Sequence, residues 1–128
     1  MAKHKNRSAA RDGSRFLALP YVVIDSPAFL NLSGPALRLL LDIARQYTGE
    51  NNGQLVACTK YLKPRGWTSH DTASRARREL EAAALIVETR KGMRPNRATW
   101  YALTWCSLDW LPEMDLPRAQ FKRGVYLK

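Results

Sequence analysis

Between residues 66 and 105 the apolar spacing changes period, and that change limits the fold more than any other feature of the chain. Ala73, Ala76, Leu80 and Ala84 recur at helical spacing, which predicts a helix over residues 69–84 with one buried stripe. Thr68 is placed as its N-cap, and Asp71, three residues on, is an acid suited to the first turn. At Leu85 the pattern switches. Leu85-Ile86-Val87-Glu88-Thr89-Arg90 has strand character, and residues 98–105 (ATWYALTW) form a second such run. Residues 91–97 between them make a loop holding Gly92 and Pro95, so the two strands are expected to pair as a hairpin. A chain with this order has to bury a helix against a small sheet, which puts it in the α+β class, mainly α.

Upstream, residues 16–25 (FLALPYVVID) read as extended from their β-branched residues and proline. Ser26-Pro27 is an N-cap followed by a proline suited to the first helical position, opening a short helix through Leu30. A longer helix is predicted from Ser33-Gly34-Pro35 to Tyr47. Its inward stripe is Leu37, Leu40, Leu41, Ala44 and Tyr47, with Arg38, Asp42 and Arg45 on the opposite face. Gly49 is placed to end it, Glu50-Asn51-Asn52-Gly53 is a turn cluster, and residues 54–57 make a short strand. A small helix over residues 59–63 then closes at Pro64-Arg65-Gly66. The folded domain is thus residues 16–105. Residues 1–15 carry Lys3, Lys5, Arg7, Arg11 and Arg15 against Asp12 alone and are expected to be a disordered basic arm. Residues 106–128, with Pro112 and Pro117 and no sustained period, read as an extended C-terminal tail docked through Leu108, Trp110 and Leu111.

Twenty-one Lys and Arg against eleven Asp and Glu leave a formal charge of +10 on 128 residues. Such a balance favours nucleic acid, an anionic membrane surface or an acidic protein as partner. No stretch approaches the roughly 20 apolar residues of a membrane span. No continuous apolar segment with a small-residue cleavage site follows the basic N-terminus, so no secretory signal is expected. Cys58 and Cys106 are too few for a disulfide framework, and the pattern predicts a cytoplasmic protein with two free thiols. Those cysteines with His4 and His70 lack metal-ligand spacing. Asp25 and Asp42 are isolated carboxylates, and there is no phosphate-binding glycine loop, nucleophile elbow or HExxH. The sequence therefore predicts no enzyme, no cofactor, no metal and no small-molecule ligand. Trp67, Trp100, Tyr101 and Trp105 admit a base-stacking platform, but the alternation of the last strand favours core packing.

The order helix, short strand, short helix, tight turn, longer helix and hairpin resembles that of the winged helix-turn-helix DNA-binding family. The residues that carry the resemblance are Gly66-Trp67-Thr68 through Ala84-Leu85-Ile86 and the hairpin ending in Trp100-Tyr101-Ala102-Leu103. The run RRELEAAALIVETRKG resembles the join of recognition helix and wing in bacterial and phage members, although Ala84 stands where a glycine is frequent. The stretch LPYVVIDSPAFLNLSGPALRLLLDI is similar to the entry of winged-helix domains in phage and plasmid replication and regulatory proteins. The resemblance covers residues 16–105. It implies a three-helix core with a C-terminal β-hairpin wing, the helix over residues 69–84 in a major groove of double-stranded DNA, and the hairpin along the flanking backbone.

The residues point the same way. The face opposite Ala73, Ala76 and Leu80 presents Asp71, Ser74, Arg75 and Arg78, with Ser69 and His70 at the N-terminal end. Arginine can pair bidentately with guanine, and serine or histidine can serve bases or phosphates. The loop adds Lys91, Arg94 and Arg97. The expected DNA-binding set is therefore Ser69, His70, Ser74, Arg75, Arg78, Lys91, Arg94 and Arg97. Arg75 and Arg77 each precede a glutamate by four residues, Glu79 and Glu81, so surface ion pairs compete with a DNA role; Arg78 has no such partner. The function expected is transcriptional regulation at an operator. The alternatives are a replication or maintenance accessory protein of a phage or plasmid binding origin repeats, and a protein-interaction or RNA-binding winged helix. A homodimer would require a two-fold site. The chain offers no long heptad helix for one, which leaves the N-terminal segment or the tryptophan-containing tail.

Overall fold

The computed structural model describes residues 10–128. Most of the arm expected over residues 1–15 lies outside the described residues, and residues 10–15 are exposed. The helices are α1 (Tyr21–Ile24), α2 (Pro27–Leu30), α3 (Gly34–Ala44), α4 (Thr59–Leu62) and α5 (His70–Ala82), followed by β1 (Ile86–Arg90) and β2 (Trp100–Leu103). The fold is a small, mainly helical α+β structure with a two-stranded antiparallel sheet.

The short helices form where the sequence supplies their ends. The Ser26 hydroxyl accepts the amide N–H of Phe29 and starts α2 with Pro27 in its first turn. Ser33 does the same for α3 by accepting from Ala36, again with a proline behind it. Gly66 stops the 3-10 turn Lys63–Arg65 after α4 with φ 92°, a conformation glycine adopts without strain. α3 packs across α5, and Leu39, Leu40 and Ile43 meet Leu80, Leu85, Ile86 and Leu103 in one buried cluster. In the hairpin Ile86 faces Leu103 and Glu88 faces Tyr101, with a register shift between Glu88 and Arg90. The strand expected over residues 54–57 is reduced to a single bridge: Leu55 and Tyr101 exchange both backbone hydrogen bonds, 3.1 and 2.7 Å.

Three expectations are corrected. Residues 21–24 are a helical turn rather than extended. Val23 is fully buried and its carbonyl accepts from the Ser26 hydroxyl, so tertiary packing outweighs the β propensity of Val22 and Val23. α3 ends at Ala44, before Tyr47, and its buried stripe is rotated: Ala36, Leu39, Leu40, Ile43 and Ala44 face inward, Leu41 is exposed, and Asp42 is buried. Later residues cause the rotation. Arg65 Nε and Trp67 Nε1 donate to the two Asp42 carboxylate oxygens at 2.6 and 2.7 Å, and the Tyr61 hydroxyl donates to its backbone carbonyl. Finally, Ser69 and not Thr68 caps α5, accepting from the Thr72 amide at 3.2 Å.

Ala84 explains itself once placed. It connects α5 to β1 with φ 59°, the left-handed region that glycine takes freely and a Cβ resists. Its carbonyl accepts from the Thr104 hydroxyl at 2.7 Å, which holds that turn against the end of β2. Ala84→Gly is expected to stabilise the domain by roughly 0.5–1 kcal/mol, the relieved strain exceeding the extra chain entropy of glycine. Urea unfolding monitored by tryptophan fluorescence reads this as a raised midpoint at unchanged slope.

The tail is more than a strap. Leu108, Trp110 and Leu111 are half-buried, while the deepest anchors are Met114 and Tyr126, the latter joining the central core. Asn52, fully buried in the turn after α3, ties the tail down. Its amide group donates to the carbonyls of Leu103, Cys106 and Ser107, and its oxygen accepts from the Leu103 amide at 2.7 Å. Asp115 and Leu116 both donate their amides to the Thr89 carbonyl, and the Asp115 carboxylate accepts from the Lys91 amide at 2.7 Å. The tail thereby braces the base of the hairpin loop.

Candidate nucleic-acid interface

A groove of about 1200 Å³ runs between α4 and the N-terminal half of α5 on one side and the hairpin loop on the other. Of the residues expected to contact DNA, Ser69, His70, Ser74, Lys91, Arg94 and Arg97 line it together. Arg75 and Arg78 do not; both are exposed on α5 outside the groove. The groove also takes in Lys60 of α4, Lys63 of the 3-10 turn that follows it, and Arg77 of α5. Six Lys or Arg side chains therefore line it against one acid, Glu88. Lys60 and Lys63 are three residues apart, which puts them on one side of a helical turn. That spacing was the available signal for them.

Each wall is held from behind. Asp42 binds Arg65 and Trp67, and Arg38 stacks over the Trp67 ring at 5.0 Å while donating to the Arg65 carbonyl at 2.6 Å. This fixes the turn between α4 and α5 to α3. From the other end of α3, the Ser33 amide and hydroxyl both donate to the Glu79 carboxylate at 2.7 Å. Glu79 is consequently not the partner of Arg75, which instead pairs backwards with Asp71 at 3.0 Å; both of those side chains are largely exposed. Arg77 pairs with Glu81 as its spacing predicts. Arg78 is exposed and makes no ion pair among the described residues.

Ser69 has a double position. Its oxygen accepts from the Thr72 amide and hydroxyl, which leaves its own O–H as a donor at the mouth of α5, where the helix dipole favours anions. Tyr101 lies in the groove and is buried; burial, opposed by Arg77, pushes its phenol up to about 12, so it remains a neutral hydroxyl.

The hairpin loop is short and closed. Met93 and Arg97 exchange backbone hydrogen bonds of 2.8 and 2.9 Å, so Arg94, Pro95 and Asn96 form its exposed tip. Below it, Arg90 stacks on Trp100 at 3.5 Å and donates to the Ala98 carbonyl. Desolvation, with the neighbouring Arg97 charge, lowers the Arg90 pKa from its ordinary value. Trp67 and Tyr101 are buried, Trp105 packs against the core, and Trp100 is covered by Arg90. None of the four is laid out as an open stacking surface.

Among the described residues no group of His, Cys, Asp and Glu is arranged to hold a metal ion, both cysteines are free thiols, and no helix is long and apolar enough to cross a membrane. Comparison with protein-family models, with curated proteins and with solved structures gave no match.

Proposed function

We propose that the chain is a winged helix-turn-helix protein that binds double-stranded DNA, acting as a transcriptional regulator. α3, the Leu55 bridge, α4, α5, β1 and β2 follow one another in the order of that fold. In this reading α5 enters the major groove, where Arg75 and Arg78 reach base edges and Ser74 approaches from the same face. The hairpin loop is the wing. It lies over the adjacent backbone, which Lys91, Arg94 and Arg97 contact from one wall of the groove while Lys60 and Lys63 contact it from the other.

The observation that carries the proposal is the charge of the groove, six cations against Glu88 alone. A polyanion is the partner that such a surface attracts. One of the six, Arg77, is paired with Glu81, which leaves Lys60, Lys63, Lys91, Arg94 and Arg97 to meet a polyanion.

Selection of bound sequences from a random duplex pool tests the proposal, because a regulator enriches a defined site and a charge-only binder enriches none. On the enriched site, Arg75→Ala and Arg78→Ala are each expected to cost about 1–3 kcal/mol if they read bases, with little change on a random duplex at the same salt. An unchanged affinity in the double variant would remove α5 from the interface.

A further inference from the structure

We infer that Met93 is an apolar wedge, set by the hairpin loop against the minor-groove edge of a bound duplex, where it opens a flexible base step and bends the DNA. The inference rests on the DNA-binding reading above and adds to it the residue that senses how easily the duplex deforms. Eight large apolar side chains are exposed among the described residues, and Met93, 62% exposed, is the one that lines the basic groove. Lys91, Arg94 and Arg97 flank it in the loop, and Gly92, Pro95 and Asn96 add no charge. A thioether among these cations gains nothing from a phosphate. It gains from the sugar and base surface behind the phosphate, which is the apolar part of the same partner.

The loop fixes where this side chain goes. Met93 and Arg97 are bridged by backbone hydrogen bonds of 2.8 and 2.9 Å, which sends their side chains to the same face. Arg97 Nη1 lies 3.8 Å from Met93 Sδ, so the guanidinium and the thioether advance together. An Arg97 seated on a phosphate therefore brings Met93 to the sugar and base edge beside it. The loop is also narrow. A Cβ on Gly92 would stand 2.7 Å from the Arg97 carbonyl and from the Thr99 amide nitrogen, and the Gly92 N–H donates to the Thr99 hydroxyl at 3.0 Å. The two arms are thus packed backbone against backbone, and the side chains at the tip can enter a groove about 6 Å wide. With α5 in the major groove, the groove facing the loop is the adjoining minor one. Methionine is among the side chains that unstack a base step from that side, and pyrimidine–purine steps resist least.

Energy transfer between the labelled ends of a duplex of about 30 base pairs, measured in complex with the full chain, tests this. One duplex carries TpA steps along its length, and a second is built from stiff A-tracts. The wild-type chain is expected to bend the first by at least ~20° and the second by less. Met93→Gln keeps the length and charge of the side chain. It is expected to leave the first duplex straight and bind it about tenfold more weakly, with the salt dependence of binding unchanged. Met93→Leu, which stays apolar, is expected to retain the bend. Because Met93 is exposed, both variants should keep the fold, which an unchanged melting temperature checks. A duplex that the wild type binds but leaves straight, or that Met93→Gln bends equally, overturns this inference and leaves the DNA-binding reading standing. A chain that binds neither duplex removes that reading and this inference with it.

Discussion

Asn52→Ala is expected to be the most damaging single substitution outside the apolar core, lowering stability by about 3 kcal/mol. The side chain is fully buried and satisfies four backbone groups at once: the Leu103 amide and the carbonyls of Leu103, Cys106 and Ser107. Truncation leaves the Leu103 amide without its acceptor at the end of β2 and releases the first residues of the tail. For a domain of this size the loss corresponds to a drop on the order of 10 °C in melting temperature. Asn52→Asp sharpens the test. An aspartate keeps an acceptor for the Leu103 amide but turns a second oxygen toward three carbonyls, so at neutral pH it should rescue little or nothing. A melting temperature within a degree or two of wild type for either variant would mean that the tail is not held by this residue.

The second large effect concerns the loop. Neutralising Lys91, Arg94 and Arg97 together is expected to weaken binding to every duplex, on the order of 100-fold at low salt. The three side chains are exposed, and the loop is closed by the backbone pairing of Met93 with Arg97, so the fold should be kept. If each contacts one phosphate, the slope of log affinity against log salt becomes shallower by about three units. A loss confined to the selected site would mean that this loop reads bases. Equal affinity for wild type and variant on all duplexes would remove it from the interface.

What the sequence made legible was local. Ser26-Pro27, the stop at Gly66, the helix ending near Ala84 and the hairpin all declare themselves within a few residues, through caps, glycine and a change of period. What it concealed depends on partners far along the chain. The burial of Asp42 needs Arg65 and Trp67, more than twenty residues later, and without them an aspartate beside Leu41 reads as the solvent side. Glu79 looks like a surface partner for Arg75 because Ser33, its actual partner, lies 46 positions upstream. Asn52 reads as an ordinary turn residue until residues 103–107 pass over it. The same holds for the candidate interface. Six of the eight expected residues line one groove, whereas Lys60, Lys63 and Arg77 enter it only because α4 and α5 are set at the angle that Asp42 and Glu79 enforce.

The central claim is that this groove holds the backbone of a DNA duplex whose base edges the exposed face of α5 reads. The most direct measurement is the affinity of the intact chain for a labelled duplex as salt is raised. With Lys60, Lys63, Lys91, Arg94 and Arg97 each neutralising one phosphate, log affinity should fall linearly with log salt at a slope of about −4.5. Failure to bind duplex at low salt, or an affinity that does not move with salt, would contradict the account.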